Sequence, residues 1–239
     1  MSRGTLAVIP ARGGSKGLPR KNVLRVGGTP LVVRAVEQAR ACRSVDAIVV
    51  STDDAEIAGL SERAGATVLW RPGELALDQT PTVAVLAHVL EARRDDSPER
   101  VVTLQPTSPL RLPRHIDEAL ALLTPEFDAV VSVCPAAHSP YKMFSVAGDA
   151  LRPLVEGAPP PGTPRQSLPP AFQENGAVYV TWTRVLREQN SIWGRRTRPF
   201  VMDRESSIDI DSALDLVIAE AILSTRKGPE GTHGRDAAD

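Results

Sequence analysis

Cysteine and aromatic residues are scarce in this chain, and neither sign of charge dominates. Only Cys42 and Cys134 occur in 239 residues, with no CxxC pair and no Cys/His ligand set, which argues against a disulfide scaffold or a zinc site of ordinary spacing. His88, His115, His138 and His233 show no ligand spacing either, and no Ser/His/Asp or Cys/His nucleophile arrangement can be assembled. The 28 basic and 29 acidic side chains leave a formal charge of −1, so no global field draws the protein onto nucleic acid. No apolar run approaches the roughly 20 residues that cross a bilayer, and the opening MSRGTLAVIPARGG lacks the basic and apolar regions of a signal peptide. The expectation is a soluble protein of the reducing cytoplasm, without nucleic-acid or membrane partners, that holds any anion by a local cluster of charge.

What is present is a repeating alternation of short β-branched runs and helical periods. Leu6 to Ile9 reads as a buried strand that opens through Pro10 into ARGGSKGLPRKN. Thr29 as N-cap and Pro30 at N1 predict a helix with Leu31, Ala35 and Val36 on its apolar face, followed by a strand over 47–51. Asp54 is placed to cap a second helix that closes at Gly65. Further strands are expected at TVLW, 101–105 and 129–133, with helices from Thr80 and over Pro113 to Leu123. Helical crossovers of this length imply a parallel sheet that binds ligands beyond the carboxyl ends of its strands. The rhythm breaks between about 135 and 172, where proline is dense, and this stretch is read as an inserted lobe. Strand character returns at 176–182 and 198–202, and a closing helix begins at Ser212. The domain expectation is one unit over 1–225 and a disordered tail over 226–239.

Three motifs can carry chemistry. The loop from Arg12 to Lys21 combines Gly13, Gly14 and Gly17 with Arg12, Lys16, Arg20 and Lys21, a backbone able to aim several N–H groups at phosphate oxygens amid positive charge. It lacks the GK[ST] of a P-loop and the GxGxxG of a dinucleotide site; taken by itself it could also be a solvated basic turn. In SSIDIDS, extended geometry puts Asp209 and Asp211 on one face and Ile208 and Ile210 on the other. Two such carboxylates can hold Mg²⁺, although Asp211 or Ser212 could equally cap the last helix. LQPTSPLR offers Gln105, Thr107, Ser108 and Arg111 at the expected ligand edge, and Asp53 stands where sheets of this kind often contact a ribose, or beside the Asp54 cap.

The sequence resembles the acylneuraminate (CMP-sialic acid) cytidylyltransferases. IPARGGSKGLPRKN, STDD, RPGELALD, LQPTSPLR, RQSLPPAFQENGAVYV and SIDIDS occur in that family's order over roughly residues 6 to 222. The resemblance implies a Rossmann-like α/β fold: a mostly parallel sheet with helices on both faces and a small inserted dimerisation lobe. It also implies a homodimer that transfers CMP from CTP to an anionic acceptor and releases pyrophosphate. By the same resemblance, Arg12, Ser15, Lys21 and Asn22 contact the triphosphate and ribose, with Lys21 on the α-phosphate, while Arg71 and Thr82 read cytosine. Gln105, Lys142, Arg165, Gln166 and Tyr179 meet the acceptor, and Asp209 and Asp211 bind Mg²⁺. Lys21, Arg12 and Asp211 are the catalytic candidates, Asp211 as proton acceptor.

The segment before NGA departs from the family pattern, carrying Gln173 and Glu174 where sialic acid enzymes usually include an Arg. A nonulosonic (sialic-type) acid is the first expectation for the acceptor. A small phosphonate is the alternative, and a catalytically silent nucleotide-binding module a remote one.

Overall fold

The computed structural model describes residues 4–15 and 17–226. Lys16 of the basic loop lies outside the described residues, as does all of the expected tail except Arg226. That arginine is helical instead, donating to Leu110 O and Ser206 Oγ.

Strand β1 (Thr5–Pro10) leads through the glycine-rich loop to a two-residue ribbon, β2 (Arg25–Val26) and β3 (Thr29–Pro30), and then to α1 (Leu31–Arg40). Thr29 is therefore not the α1 cap: it is spent in the ribbon, and Pro30 takes the N-cap position without a side-chain bond. β4 (Ala47–Thr52) is followed by α2 (Ala55–Arg63), whose Asp54 cap accepts from Ile57 N. β5 (Thr67–Trp70), α3 (Thr82–Ala92), β6 (Arg100–Thr103), α4 (Pro113–Leu122) and β7 (Ala129–Pro135) continue the alternation. An exposed hairpin, β8 (Phe144–Ala147) with β9 (Ala150–Pro153), precedes β10 (Phe172–Trp182), α5 (Thr183–Gln189), β11 (Thr197–Val201) and α6 (Ala213–Arg226).

The main sheet has seven strands in the order β11-β7-β10-β6-β1-β4-β5. Every pairing is parallel except those of β10, which runs antiparallel to both β6 and β7. The main sheet is thus mostly parallel, as expected, with β10 its one antiparallel strand. The sequence of β10, alternating and β-branched like the others, carries no mark of direction.

Period-two alternation divides the core into two layers. Ala7 and Ile9 of β1 pack with α1, α2 and α4, whereas Leu6 and Val8 pack with Leu86, Val89 and Leu90 of α3 and Leu186 of α5. A third cluster joins Val26, Leu31, Leu110, Ile210 and Ala219, and so fastens α6 beneath the ribbon.

Arg111 is the largest fully buried side chain. Nη1 donates to Ala177 O at 2.6 Å and Gln105 O at 3.2 Å, and Nη2 to Gln38 Oε1 at 2.8 Å. Burial pushes its guanidinium down to about 9. Arg111 is therefore a structural cross-tie between β10, α1 and the loop after β6, in place of the ligand-edge group that its motif suggested. Replacing it by Met retains much of the volume but strands these acceptors, at about 1–3 kcal/mol for each buried group left unpaired. Urea unfolding of Arg111→Met should show a lower midpoint at an unchanged slope; an unaltered midpoint would contradict the cross-tie.

Candidate active site

Because β1, β4 and β6 are parallel neighbours, the loops that leave them all open at one edge. A cavity of about 690 Å³ lies there, lined among others by Arg12, Ser15, Gly17, Lys21, Asn22, Arg71, Thr82, Gln105, Thr107, Asp209 and Asp211. All of the expected triphosphate, ribose, cytosine and metal residues are thus brought to one place, together with Gln105 from the acceptor set.

The glycine-rich loop is held from several sides. Gly13 N donates to Asp53 Oδ1 at 2.9 Å, and Asn22 Nδ2 donates to Arg12 O at 2.8 Å. Asp53 is therefore a loop anchor in this structure, and the Asn22 amide is engaged in shaping the loop. Open space surrounds Gly14, while a side chain at Gly13 would collide with Asp54. Arg20 turns away from the cavity toward Asp54 and Glu56. The dense positive charge expected of the loop is thus reduced at the cavity to Arg12 and Lys21 among the described residues.

Those two cations face carboxylates. Arg12 Nη2 stands 2.6 Å from Asp78 Oδ1, and Lys21 Nζ stands 2.8 Å from Asp211 Oδ1. Both pairs are partly exposed, so each is worth little as a fold contact, about 0–1 kcal/mol. Their value lies in keeping flexible ammonium and guanidinium groups poised at the cavity. Arg71 is more rigid, donating through Nη2 to Ser51 O at 2.8 Å and through Nε to Ser51 Oγ at 3.2 Å. Its burial lowers its basicity, opposed by the nearby Asp53 charge.

The aspartate pair behaves as its alternation predicts. Ile210 is buried in the α6 cluster with Ile208 packed against it, while Asp209 and Asp211 line the cavity. Helix capping falls to Ser212, one of the two candidates: its Oγ accepts from Asp215 N at 3.4 Å, while Asp215 Oδ2 reaches back to accept from Ser212 N at 2.7 Å and Ser212 Oγ at 2.8 Å. Asp209 Oδ1 is buried without a hydrogen-bond partner; burial raises its carboxyl above the usual range, opposed by a hydrogen bond from the Thr107 side chain and reinforced by the neighbouring Asp211 charge. An orphaned, desolvated carboxylate oxygen beside a second carboxylate suits a hard divalent cation. Among the described residues no group of three or more His, Cys, Asp or Glu could hold a metal, so the remaining ligands of any ion would be water or phosphate oxygens.

The acceptor residues other than Gln105 are dispersed. Tyr179 is buried, and its hydroxyl donates to Glu174 Oε1; burial and that bond raise the phenol above its ordinary value. Lys142 and Arg165 line a separate cleft of about 310 Å³ with His138 and Ser139, and Gln166 follows Arg165 in a single 3-10 turn. Sequence reasoning gave Asp78 no role, although it lies in the quoted RPGELALD motif. It also passed over Gly176, whose φ of +70° places a hypothetical Cβ 2.6 Å from Gln105 Oε1. A glycine between Asn175 and Ala177 on a strand was the available signal for close backbone approach.

No helix among the described residues is long and apolar enough to cross a membrane. A family model described as Cytidylyltransferase matches residues 6–146. The CMP-N,N'-diacetyllegionaminic acid synthase of Legionella pneumophila is 32% identical over 230 residues, covering 91% of this chain and 95% of that protein. The N-acylneuraminate cytidylyltransferase of Escherichia coli is 32% identical over 219 residues, but this chain spans only 51% of its length. Among solved structures, a CMP:2-keto-3-deoxy-manno-octonic acid synthetase complexed with CTP superposes with a TM-score of 0.70 at 17% identity, covering 93% of this chain and 99% of that one. That likeness bears out the Rossmann-like α/β fold. The chain belongs to the cytidylyltransferase family.

Proposed function

We propose that this protein transfers CMP from CTP to a nonulosonic (sialic-type) acid, releasing pyrophosphate. The observation that carries the reading is the single cavity where the glycine-rich loop, Lys21 and the Asp209/Asp211 pair converge at the carboxyl ends of parallel strands. Arg12, Ser15 and the loop amides hold the triphosphate, and Asn22 lies beside the ribose. Arg71, anchored on Ser51, and Thr82 at the start of α3 read the cytosine edge. Gln105 reaches from β6 toward the acceptor.

The acceptor hydroxyl oxygen forms a bond to the α-phosphorus as the bond from that phosphorus to the pyrophosphate oxygen breaks. Lys21 stabilises the charge developing on the α-phosphate oxygens and Arg12 that on the departing pyrophosphate, so catalysis is chiefly positioning and electrostatics. Asp211 takes the hydroxyl proton. Asp209 and Asp211 would hold a magnesium ion, whose charge neutralises phosphate oxygens and activates the hydroxyl. The unpartnered Oδ1 of Asp209 supports that assignment.

The setting is a homodimer in the cytoplasm. Exposed apolar side chains on and beside the hairpin, Val146 at 76%, Leu151 at 66% and Leu154 at 61%, give a second copy a surface to bury. Lys142 and Arg165 flank this lobe, so a partner's lobe laid over the cavity supplies the cations that select an anionic acceptor. Gln173 and Glu174 stand where an Arg would help hold the sugar, and a compact phosphonate needs no such side-chain pocket, which keeps it as the second acceptor.

Asp209→Ala and Asp211→Ala should each fold normally yet lose about a thousandfold in pyrophosphate release, equivalent to about 4 kcal/mol of barrier lowering. Near-normal turnover in either would remove the metal assignment. For Lys21→Ala, kcat should fall much further than KM for CTP rises, because the charge acts on the transition state; a pure KM effect would move Lys21 to the ground-state cradle. Pyrophosphate release with CTP, Mg²⁺ and a panel of nonulosonic acids, Kdo, small phosphonates and neutral hexoses decides the acceptor. A nonulosonic acid should be best. A phosphonate that is better by tenfold or more would transfer the reading to the second acceptor, and turnover of hexoses alone would refute an anion pocket.

A further inference from the structure

Arg20 occupies a backbone conformation that its side chain does not favour. With φ 56° and ψ 30° it is one of two non-glycine residues with positive φ among those described, the other being Asn190 at the end of α5. Glycines stand at 13, 14 and 17 in the same loop, yet this left-handed position carries a long cationic side chain. The contacts of its guanidinium supply a reason. Nη1 donates to Asp54 Oδ2 at 2.8 Å, while Nη2 donates to Asp54 Oδ1 at 3.3 Å and to Glu56 Oε2 at 2.5 Å. Both carboxylates belong to the start of α2, where Asp54 is already fixed as the helix cap. Charge-assisted fork geometry of this kind defines orientation as well as distance.

The turn that follows depends on this residue. Val23 N bonds to Arg20 O at 3.0 Å, closing the single 3-10 turn Lys21–Val23. Lys21 is its first residue, and its ammonium reaches Asp211 across the cavity. Arg20 itself is absent from the cavity lining, and its guanidinium is committed to α2. We infer that Arg20 is a positioning residue: clamped to Asp54 and Glu56, it holds the left-handed turn that aims Lys21 into the site, and it does not touch the triphosphate. This inference rests on the role of Lys21 at the α-phosphate.

The test compares Arg20→Ala, Arg20→Lys, Glu56→Gln and Lys21→Ala, with Arg20→Ala also placed in the Lys21→Ala background, using CTP and the acceptor that supports turnover. Misaiming a reacting group by a fraction of an ångström is enough to predict a kcat lower by about tenfold in Arg20→Ala, with KM for CTP within about threefold. Arg20→Lys, which can replace one of the bonds, should recover part of the loss, and Glu56→Gln, which leaves the α2 cap intact, should show a smaller one. The clamp is exposed, so melting midpoints should stay within about 3 °C of the unmodified protein. In the Lys21→Ala background, Arg20→Ala should cost nothing more in kcat.

An undiminished kcat in Arg20→Ala, or a rise in KM alone, would overturn the inference, the latter by making Arg20 a direct phosphate contact. A large fall in melting midpoint alongside kcat, or a full additional loss in the Lys21→Ala background, would overturn it as well. If Lys21→Ala itself retains full kcat, the role of Lys21 is what fails. If Lys21→Ala collapses while Arg20→Ala does not, only the clamp fails.

Discussion

Strand β1 is hydrogen-bonded on both edges, to β4 and β6, and covered by helices on both faces, so its backbone has no freedom until the chain passes Pro10. That constraint governs the site. A parallel strand buried on all sides can release its chain only at its ends, and the neighbouring strands end at the same edge. The glycine-rich loop, the Arg71 segment beyond β5 and the Gln105 loop beyond β6 therefore emerge side by side. The Asp209/Asp211 segment joins them from far along the chain because Ile210 is drawn into the cluster with Val26, Leu31, Leu110 and Ala219.

Electrostatics then sorts the charged groups by how tightly each is bound. Arg71 and Arg111 are fixed on carbonyl oxygens in the interior, where an unpaired donor or acceptor would be costly, and so serve as struts as much as charges. Arg12 and Lys21 are matched to flexible carboxylates at the cavity, close enough to tether them and exposed enough for the pairing to be exchanged. Asp209 differs in sign and place: like the Nε of Arg111, its Oδ1 is buried without a partner, but it is a carboxylate oxygen at the cavity, beside Asp211. A cation bound there would satisfy it.

Much of this was legible in the chain because it is local. Alternating apolar residues identify strands, helical periods identify crossovers, and Asp54 placed one residue before a helical period is a cap wherever the helix lies. The errors are of two kinds. Thr29 has the chemistry of a cap but is taken locally, by the tight ribbon with Val26. Arg111, with the chemistry of an anion ligand, is claimed by Ala177 O, and Asp53 by Gly13 N, both distant in sequence. Nothing within a few residues of Arg111 or Asp53 announces that competition.

The sequence by itself determined the types of the main-sheet strands and of every α-helix but α5, the period-two separation of Asp209 from Ile210, and a loop able to cradle phosphate, since these follow from backbone sterics and side-chain spacing. Only the tertiary structure decided the direction of β10, the burial of Arg111, the turning of Arg20 away from the cavity, and the separation of Lys142 and Arg165 from Gln105 within one chain. Direction and pairing are set by which long-range contacts bury the most apolar surface while leaving the fewest polar groups unmatched. That balance is struck over the whole core, and no single motif contains it.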